Sequence, residues 1–446
     1  MVDDLDRQVG FLGDRSAVTP SMDALAEVSV VFDHAYAQAP SCNPSRTSFL
    51  TGTYPHNTGI YGLAPNFWDV EEFAPLLTLP GHFRNAGYHT GSMGKIFHTS
   101  SHELSFDHVL RNWFGAFGPF PPKPLNLDPE RSFNRYNDWG PRQREEETPD
   151  YQIATAATRF IEDAGGMDMP FFLAVGFFRP HAPLFAPQEF FDLHPLSGVQ
   201  AMEPEDDQLA GVPAFGKKLV SYFGQQDFNA YLMEKDRGRG FLQAYRASVS
   251  LMDKQVGRLM LALTDTGALS NTIVVLVSDH GVQNGEKNLW FKRTLWEAST
   301  RVPMLISVPG GSPRHVQMPV GLIDLFPTLS ELVELPLPGR LEGISLLPWI
   351  RGELPLESRE PVLSVHGPGN FALRDGRWRY IQHADGSEEL YDHHVDGNER
   401  HNLAMTESPS EDVGAALDRR RSLIPDTFRD FAPGTRGLGS GAYPGK

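Results

Sequence analysis

Cysteine is nearly absent from this chain: 446 residues contain one, Cys42. A single thiol cannot close an internal disulfide, so nothing in the sequence asks for an oxidising compartment. Basic charge is also short, with 39 Lys and Arg against 56 Asp and Glu and a formal charge of -17. That disfavours a general nucleic-acid binder, which needs a basic face. A small anionic substrate stays open, because the field inside a pocket can oppose the net charge. No run approaches the roughly 18 to 20 apolar residues of a membrane span. The opening "MVDDLDRQVG" lacks the basic start and apolar run of a signal peptide. The expectation is a soluble chain, cytoplasmic as given. There is no internal repeat and no long low-complexity tract.

What is present is ordinary for a globular enzyme: 40% hydrophobic and 11% aromatic residues, enough for a sizeable core. "FFLAVGF" (171–177), "TIVVLVSDHG" (272–281) and "VPMLISVPG" (302–310) read as buried strands, continuously apolar and ended by Gly, Pro or Asp. Leu242, Tyr245, Val249, Met252, Val256, Leu259 and Leu263 alternate at three and four spacing, which predicts a helix between the first two strands. Strand, helix, strand predicts an α/β fold with a large, mainly parallel sheet sandwiched by helices. Ligands of such sheets gather at the carboxyl ends of the strands. Residues 112–150 and 197–238 read as long ordered loops. The chain divides into a catalytic α/β domain, 1–354, and a C-terminal subdomain, 355–446. In the latter "ALRDGRWRYIQH" and "EELYDHH" predict strands of a small antiparallel sheet, followed by a loose tail.

The lone cysteine sits in "SCNPSRTSFLTG". Pro44 suits a first helical turn and Gly52 a C-terminal cap, predicting a short helix over 44–51 with Cys42 at its amino-terminal mouth. Backbone N–H groups and the positive dipole end would face whatever binds there, and Arg46 can point back to the same spot. From these residues alone three readings stand: a buried structural thiol, a thiol nucleophile, or a precursor. A nucleophile of the tyrosine-phosphatase kind needs arginine six positions on, where this chain has Ser48.

Cys42-Asn43-Pro44-Ser45-Arg46 followed by "TSFLTG" resembles the signature of the formylglycine-dependent sulfatases of the alkaline-phosphatase-like superfamily. Further segments lie in that family's order over roughly residues 1 to 405, most like the iduronate-2-sulfatase branch. The resemblance implies that Cys42 is oxidised to formylglycine by a formylglycine-generating enzyme. It implies a metal shell of Asp3 and Asp4 from "VDDL", Asp279 and His280 from "SDHG", and the modified Cys42. An oxygen-rich shell favours Ca²⁺, with Mn²⁺ or Mg²⁺ behind it; His280 suits a transition metal better. It also implies Lys95 and His98 in "GKIFH", His181 in "FFRPHAPL" and Lys292 in "LWFKRT" as sulfate-contacting and acid–base residues. Fixed cations (Lys95, Lys292, Arg46 and the metal) suit a sulfate head in a dry pocket. A hydrated aldehyde carries two hydroxyls on one carbon, so one can attack sulfur and the other can expel sulfate. Asp279 would assist the first deprotonation, His181 would protonate the leaving oxygen and His98 would assist the second step.

The implied function is hydrolysis of a sulfate ester, plausibly on a small sugar or oligosaccharide, without nucleic acid or membrane. A phosphodiesterase or phosphonate-ester hydrolase on the same scaffold is the alternative; a non-catalytic metal- or glycan-binding relative is a third. Two departures stand out. The family's first strand carries apolar residues before its Asp-Asp pair, where this chain begins Met1-Val2; a start lying upstream would open a periplasmic or secreted location. And Phe178-Arg179 stands where the branch often has His-Lys, which alters the pocket beyond the sulfate. Trp68, Trp113 and Trp139 are candidates for stacking on sugar faces or for packing.

Overall fold

The computed structural model describes residues 1–99, 103–110, 115–131, 133–200, 207–222, 225–353 and 359–436. Its centre is one mixed sheet. Arg314–Val316, Val30–Phe32, Met304–Ser307 and Val274–Val277 lie side by side. Val2 then bridges Ser278 on one side and Phe177 on the other, and Phe171–Gly176, His89–Gly94 and His108–Val109 complete the order. The sheet is mainly parallel, as expected. The segment 302–310 is the exception: its strand, Met304–Ser307, runs antiparallel to both neighbours. An apolar run reports burial and carries no information on direction.

Alternate residues feed opposite faces. Val31, Leu276 and Leu305 pack with the 29-residue helix Arg237–Asp265 and the helix Pro149–Ala164. Val30, Phe32, Val277, Met304 and Ile306 pack with Phe49, Leu50 and Leu325 from helices on the other side. The strand Phe171–Gly176 departs from the expected full burial, since residues 171–175 are half-buried. The reason is a cavity of about 780 Å³ running between it and Val274–Val277, reached by Met1 and Val2.

Of the two stretches read as loops, 112–150 holds only short elements among its described residues up to 148, chief among them Trp139–Pro141 paired with Leu184–Ala186, and its last two residues open the helix Pro149–Ala164. The stretch 197–238 departs from expectation: it contains helices Ala214–Tyr222 and Gln225–Met233. Trp139 is buried against Phe241 and so packs the core, Trp68 lies edge-on to Phe67 and Phe97, and Trp113 falls outside the described residues. The small antiparallel sheet is four-stranded, Val362–Val365, Phe371–Arg374, Trp378–Gln382 and Glu388–Asp392 in that order. "ALRDGRWRYIQH" is thus two strands around the Asp375-Gly376 turn. The tail expected to be loose, from 438 on, lies outside the described residues. Among the described residues no helix is long and apolar enough to cross a membrane.

Candidate active site

Four strand ends deliver the site. Val2 is followed by Asp3 and Asp4, Gly94 by Lys95, Gly176 by the segment that carries His181, and Val277 by Asp279 and His280. From the other side comes the helix Cys42–Thr51, every residue of which is buried. It starts two residues earlier than 44, so Cys42 is its first residue and Pro44 its third. The first four N–H groups of a helix have no intrahelical acceptor, so Pro44 is as harmless at the third position as at the first. Gly52 closes the helix in the left-handed region at φ 69°, its N–H donating to the Ser48 carbonyl.

The Cys42 Sγ is 3.2 Å from Lys292 Nζ and 3.3 Å from His280 Nε2. Burial alone would raise the thiol; Lys292, Lys95 and His280 outweigh it and hold the group well below its usual range. Lys292 Nζ also donates to Asp4 Oδ1 at 2.5 Å, and Lys95 Nζ to Asp3 Oδ2 at 2.5 Å. Burial would depress the Lys292 ammonium, but Asp4 more than offsets this and raises it. Asp3 shows the converse: burial pushes it up, and Lys95 pulls it below the ordinary carboxylate range. Burial moves Asp279 up to about 6 against the pull of Arg46, whereas Asp279 overcomes burial at His280 and brings that imidazole up to about 9.

Arg46 is 1% exposed and its fork is fully engaged. Nε donates to Asp279 Oδ2 at 2.8 Å, one terminal nitrogen to Asp3 Oδ1 at 3.1 Å, and the other to the carbonyls of Lys95 and Ile96. His98 is half-buried and faces Cys42, and burial lowers its imidazole. His181 donates its Nδ1–H to the Ala182 carbonyl at 2.5 Å, which leaves Nε2 towards the site, 3.9 Å from Asp4 Oδ2.

All ten residues singled out in the sequence therefore converge. Donor atoms of Asp3, Asp4, Cys42 and His181 lie within 4.8 Å of one another, as do those of Asp3, Cys42, Asp279 and His280. Three carboxylates brought out of water to one point need cationic partners, and an oxygen-rich set of this kind suits a hard divalent cation. The residues present fit such an ion. A second convergence, Glu297, His393 and Glu399, is already filled by guanidinium groups: Arg374 and Arg379 reach Glu297 at 3.3 and 2.5 Å, and Arg379 Nε reaches Glu399 at 2.6 Å. That cluster pins the small sheet to the helix Glu297–Thr300, just beyond Lys292.

Several supporting residues were not among those singled out in the sequence. Tyr245, read only as part of an apolar stripe, accepts from Asp6 N–H and donates to the Asp4 carbonyl, both at 2.8 Å. This holds the turn in which Asp4 takes φ 63°, a conformation that Asp tolerates better than most residues. Ser45 Oγ donates to the Asp279 carbonyl at 2.5 Å, so the Cys42 helix grips the Asp279 turn. Lys292 is flanked by Phe291 and Arg293 at φ 81° and 79°. Backbone held in that region by a bulky residue marks a site where geometry outranks local stability. Arg293 N–H donates to the Pro40 carbonyl at 3.1 Å, tying this strained segment to the approach to Cys42.

Comparison with known proteins identifies the family. Residues 1–335 match the family model described as Sulfatase, and residues 285–422 the model described as N-sulphoglucosamine sulphohydrolase, C-terminal. A protein named sulfatase from Formosa agariphila is 34% identical over 442 residues, covering 96% of this chain and 85% of its own. The human iduronate 2-sulfatase is 32% identical over 447 residues, covering 92% and 77%. Among solved structures, a phosphonate monoester hydrolase from Silicibacter pomeroyi superposes with a TM-score of 0.77 at 23% identity, over 95% of this chain and 93% of that one. At that identity the likeness speaks for the fold alone.

Proposed function

The chain belongs to the sulfatase family and is a sulfuric ester hydrolase; from that premise we propose that it releases inorganic sulfate from a sulfated sugar, using a formylglycine made from Cys42 and a bound Ca²⁺. The observation that carries the reading is the position of Cys42, first residue of a buried helix, with Lys292 Nζ at 3.2 Å and three carboxylates around it. The 32% identity to an iduronate sulfatase supports a sugar as the alcohol.

Asp3, Asp4, Asp279 and His280 would hold the ion, together with position 42. With both groups in place, one hydroxyl of the aldehyde hydrate would supply the nucleophile and the other, on losing its proton, would re-form the aldehyde and expel sulfate, while the cation would supply Lewis-acid polarisation. The protein's own side chains do the rest. Lys95 and Lys292 approach the site from opposite sides and bind the sulfate oxygens, a fixed cationic cradle in a water-poor pocket. Arg46 anchors Asp3 and Asp279 by charge-assisted bonds, so its contribution reaches the substrate through them. With Nδ1 committed to the Ala182 carbonyl, His181 presents Nε2 to protonate the departing sugar oxygen. His98, kept neutral by burial, accepts the proton released in the second step. Asp279 takes the first.

The test is the mass of the peptide containing Cys42 in protein made alongside a formylglycine-generating enzyme, followed by sulfate release from sulfated monosaccharides, with Cys42→Ala as the blank. An aldehyde at position 42 and Cys42-dependent sulfate release are expected. An unmodified thiol in active protein, or faster cleavage of a phosphonate monoester than of any sulfate ester, would overturn the reading.

A further inference from the structure

Asp150 lies outside every motif discussed so far, 28 residues before the segment it controls. It is the second residue of the helix Pro149–Ala164, 1% exposed, on an element that brings no other residue to the site. Its two carboxylate oxygens accept the backbone N–H groups of Phe178 and Arg179, each at 2.8 Å. Those residues open the turn that presents His181, whose own N–H donates to the Phe178 carbonyl at 2.8 Å.

Arg179 carries the same restraint further. It is 4% exposed and its guanidinium is spent on main-chain carbonyls: Nε on Phe185 at 3.0 Å and one terminal nitrogen on His181 at 2.9 Å. The other terminal nitrogen reaches the Phe117 carbonyl at 3.4 Å. The Phe117 ring lies 4.8 Å from the His181 imidazole and 5.1 Å, edge-on, from Phe178, with Lys95 Nζ 5.7 Å from its centre. Asp150 therefore fixes the start of the turn, and Arg179 ties the His181 carbonyl to Phe185 and to the Phe117 backbone of the aromatic wall beside it. A buried carboxylate facing a buried guanidinium is worth little as net stability. Two such groups bonded almost entirely to the backbone of one turn make a device for orientation.

We propose that Asp150 and Arg179 are positioning residues for His181, holding Nε2 in line with the leaving-group oxygen, so that their loss is felt in proportion to how badly that oxygen needs a proton. This rests on the sulfatase reading and adds to it a dependence on the leaving group. A general acid contributes on the order of 10²–10⁴-fold when the leaving alcohol is poor and little when the alcohol departs as a stable anion. A merely structural role would lower all substrates alike.

The experiment is kcat/KM for a series of aryl sulfates from 4-nitrophenyl sulfate to 4-methoxyphenyl sulfate, in modified, metal-loaded protein. Wild type is compared with Asp150→Asn, Arg179→Lys, His181→Gln and the Asp150→Asn/His181→Gln double variant. Asp150→Asn is expected to lose less than about fivefold on 4-nitrophenyl sulfate and on the order of 100-fold on 4-methoxyphenyl sulfate, steepening the dependence on phenol pKa. Arg179→Lys, which keeps the charge and loses the fork, should steepen it in the same sense and decides the matter if Asp150→Asn does not fold. In the His181→Gln background, Asp150→Asn should add no further steepening. Equal losses across the series in both single variants would overturn the positioning role and leave the sulfatase reading intact. A modified wild type that releases sulfate from neither this series nor sulfated monosaccharides would remove both.

Discussion

Replacing Lys292 by methionine removes one positive charge from the mouth of the site while keeping most of the side chain's length. Its Nζ lies 3.2 Å from Cys42 Sγ, the atom whose place the proposed nucleophile would take, and 2.5 Å from Asp4 Oδ1. At an effective dielectric of about 20, two unit charges 3.2 Å apart interact by about 5 kcal/mol. A sulfate monoester is already an anion when it binds, so part of that interaction is common to ground and transition states and appears in KM. The part that grows as charge moves to the leaving oxygen is comparable to an oxyanion donor, on the order of 10²–10³ in kcat. We therefore expect kcat/KM to fall at least 100-fold, split between both parameters. Stability should fall by less than about 3 kcal/mol, below the usual cost of breaking a buried pair, because His280 Nε2 remains 3.4 Å from the same Asp4 oxygen. Initial rates of sulfate release supply the test, with the mass of the Cys42 peptide showing that position 42 is in the same state in both proteins. A variant within tenfold of wild type in kcat/KM would refute the assignment of Lys292 to the sulfate cradle.

Other expectations use different parts of the molecule. Chelation should lower the melting temperature and added Ca²⁺ restore it, since an ion present at 100 times its Kd contributes about 2.7 kcal/mol; an unchanged melting temperature and no metal by elemental analysis would refute the ion site. Glu297→Gln takes the carboxylate from Arg374 and leaves Arg379 with Glu399 alone, and should cost about 3–5 kcal/mol in urea denaturation, a loss under 1 kcal/mol contradicting the view of this cluster as the pin of the small sheet. Asp253, 2% exposed, accepts the N–H groups of Ser21 and Met22, and burial pushes its carboxyl up to about 6. A carboxyl raised in the folded state contributes stability below its unfolded pKa and loses it as pH rises through the folded one. The margin of wild type over Asp253→Asn should accordingly shrink between about pH 4 and pH 7, by at most about 3 kcal/mol; a margin that grows with pH would reverse the sign of the argument.

Of the residues gathered around Cys42, the acids and the cysteine were legible because their chemistry is local in sequence, whereas Lys95, His98, His181 and Lys292 came only through the family resemblance. An acid pair behind Val2, Asp279-His280 behind an apolar run and a cysteine before a proline each announce a strand end or a helix start. The residues that aim them were not legible. Tyr245 fits the apolar stripe of its helix as well as phenylalanine would, and only its hydroxyl, bonded to the Asp4 and Asp6 backbone, distinguishes it. Asp150 reads as an ordinary first-turn acid, complementary to a helix dipole; its two acceptor bonds to residues 178 and 179 depend on how the turn after Gly176 folds back. Strand direction was hidden for a related reason. Met304–Ser307 is apolar whichever way it runs, and the short span back from Thr300 decides that it returns antiparallel to Val274–Val277.

The charge around Cys42 explains how a chain carrying -17 can hold an anion. As the side chains stand, Arg46, Lys95, Lys292 and a protonated His280 face Asp3, Asp4, Asp279 and a Cys42 thiolate. Four cations meet four anions, so the unmodified site has little net attraction for sulfate. Replacing the thiolate by a neutral group leaves one cation in excess, and a divalent ion adds two charges less the proton that His280 must shed to ligate it. On this argument anion affinity is created by maturation: Cys42 modification and metal each tighten it, and the two together most. Inhibition constants for inorganic sulfate cannot be read in the inactive form, so the measurement is calorimetric binding of sulfate to four preparations, with and without each step. Binding that is equally tight in the unmodified, chelated protein would show that the fold alone supplies the positive field and would defeat the argument.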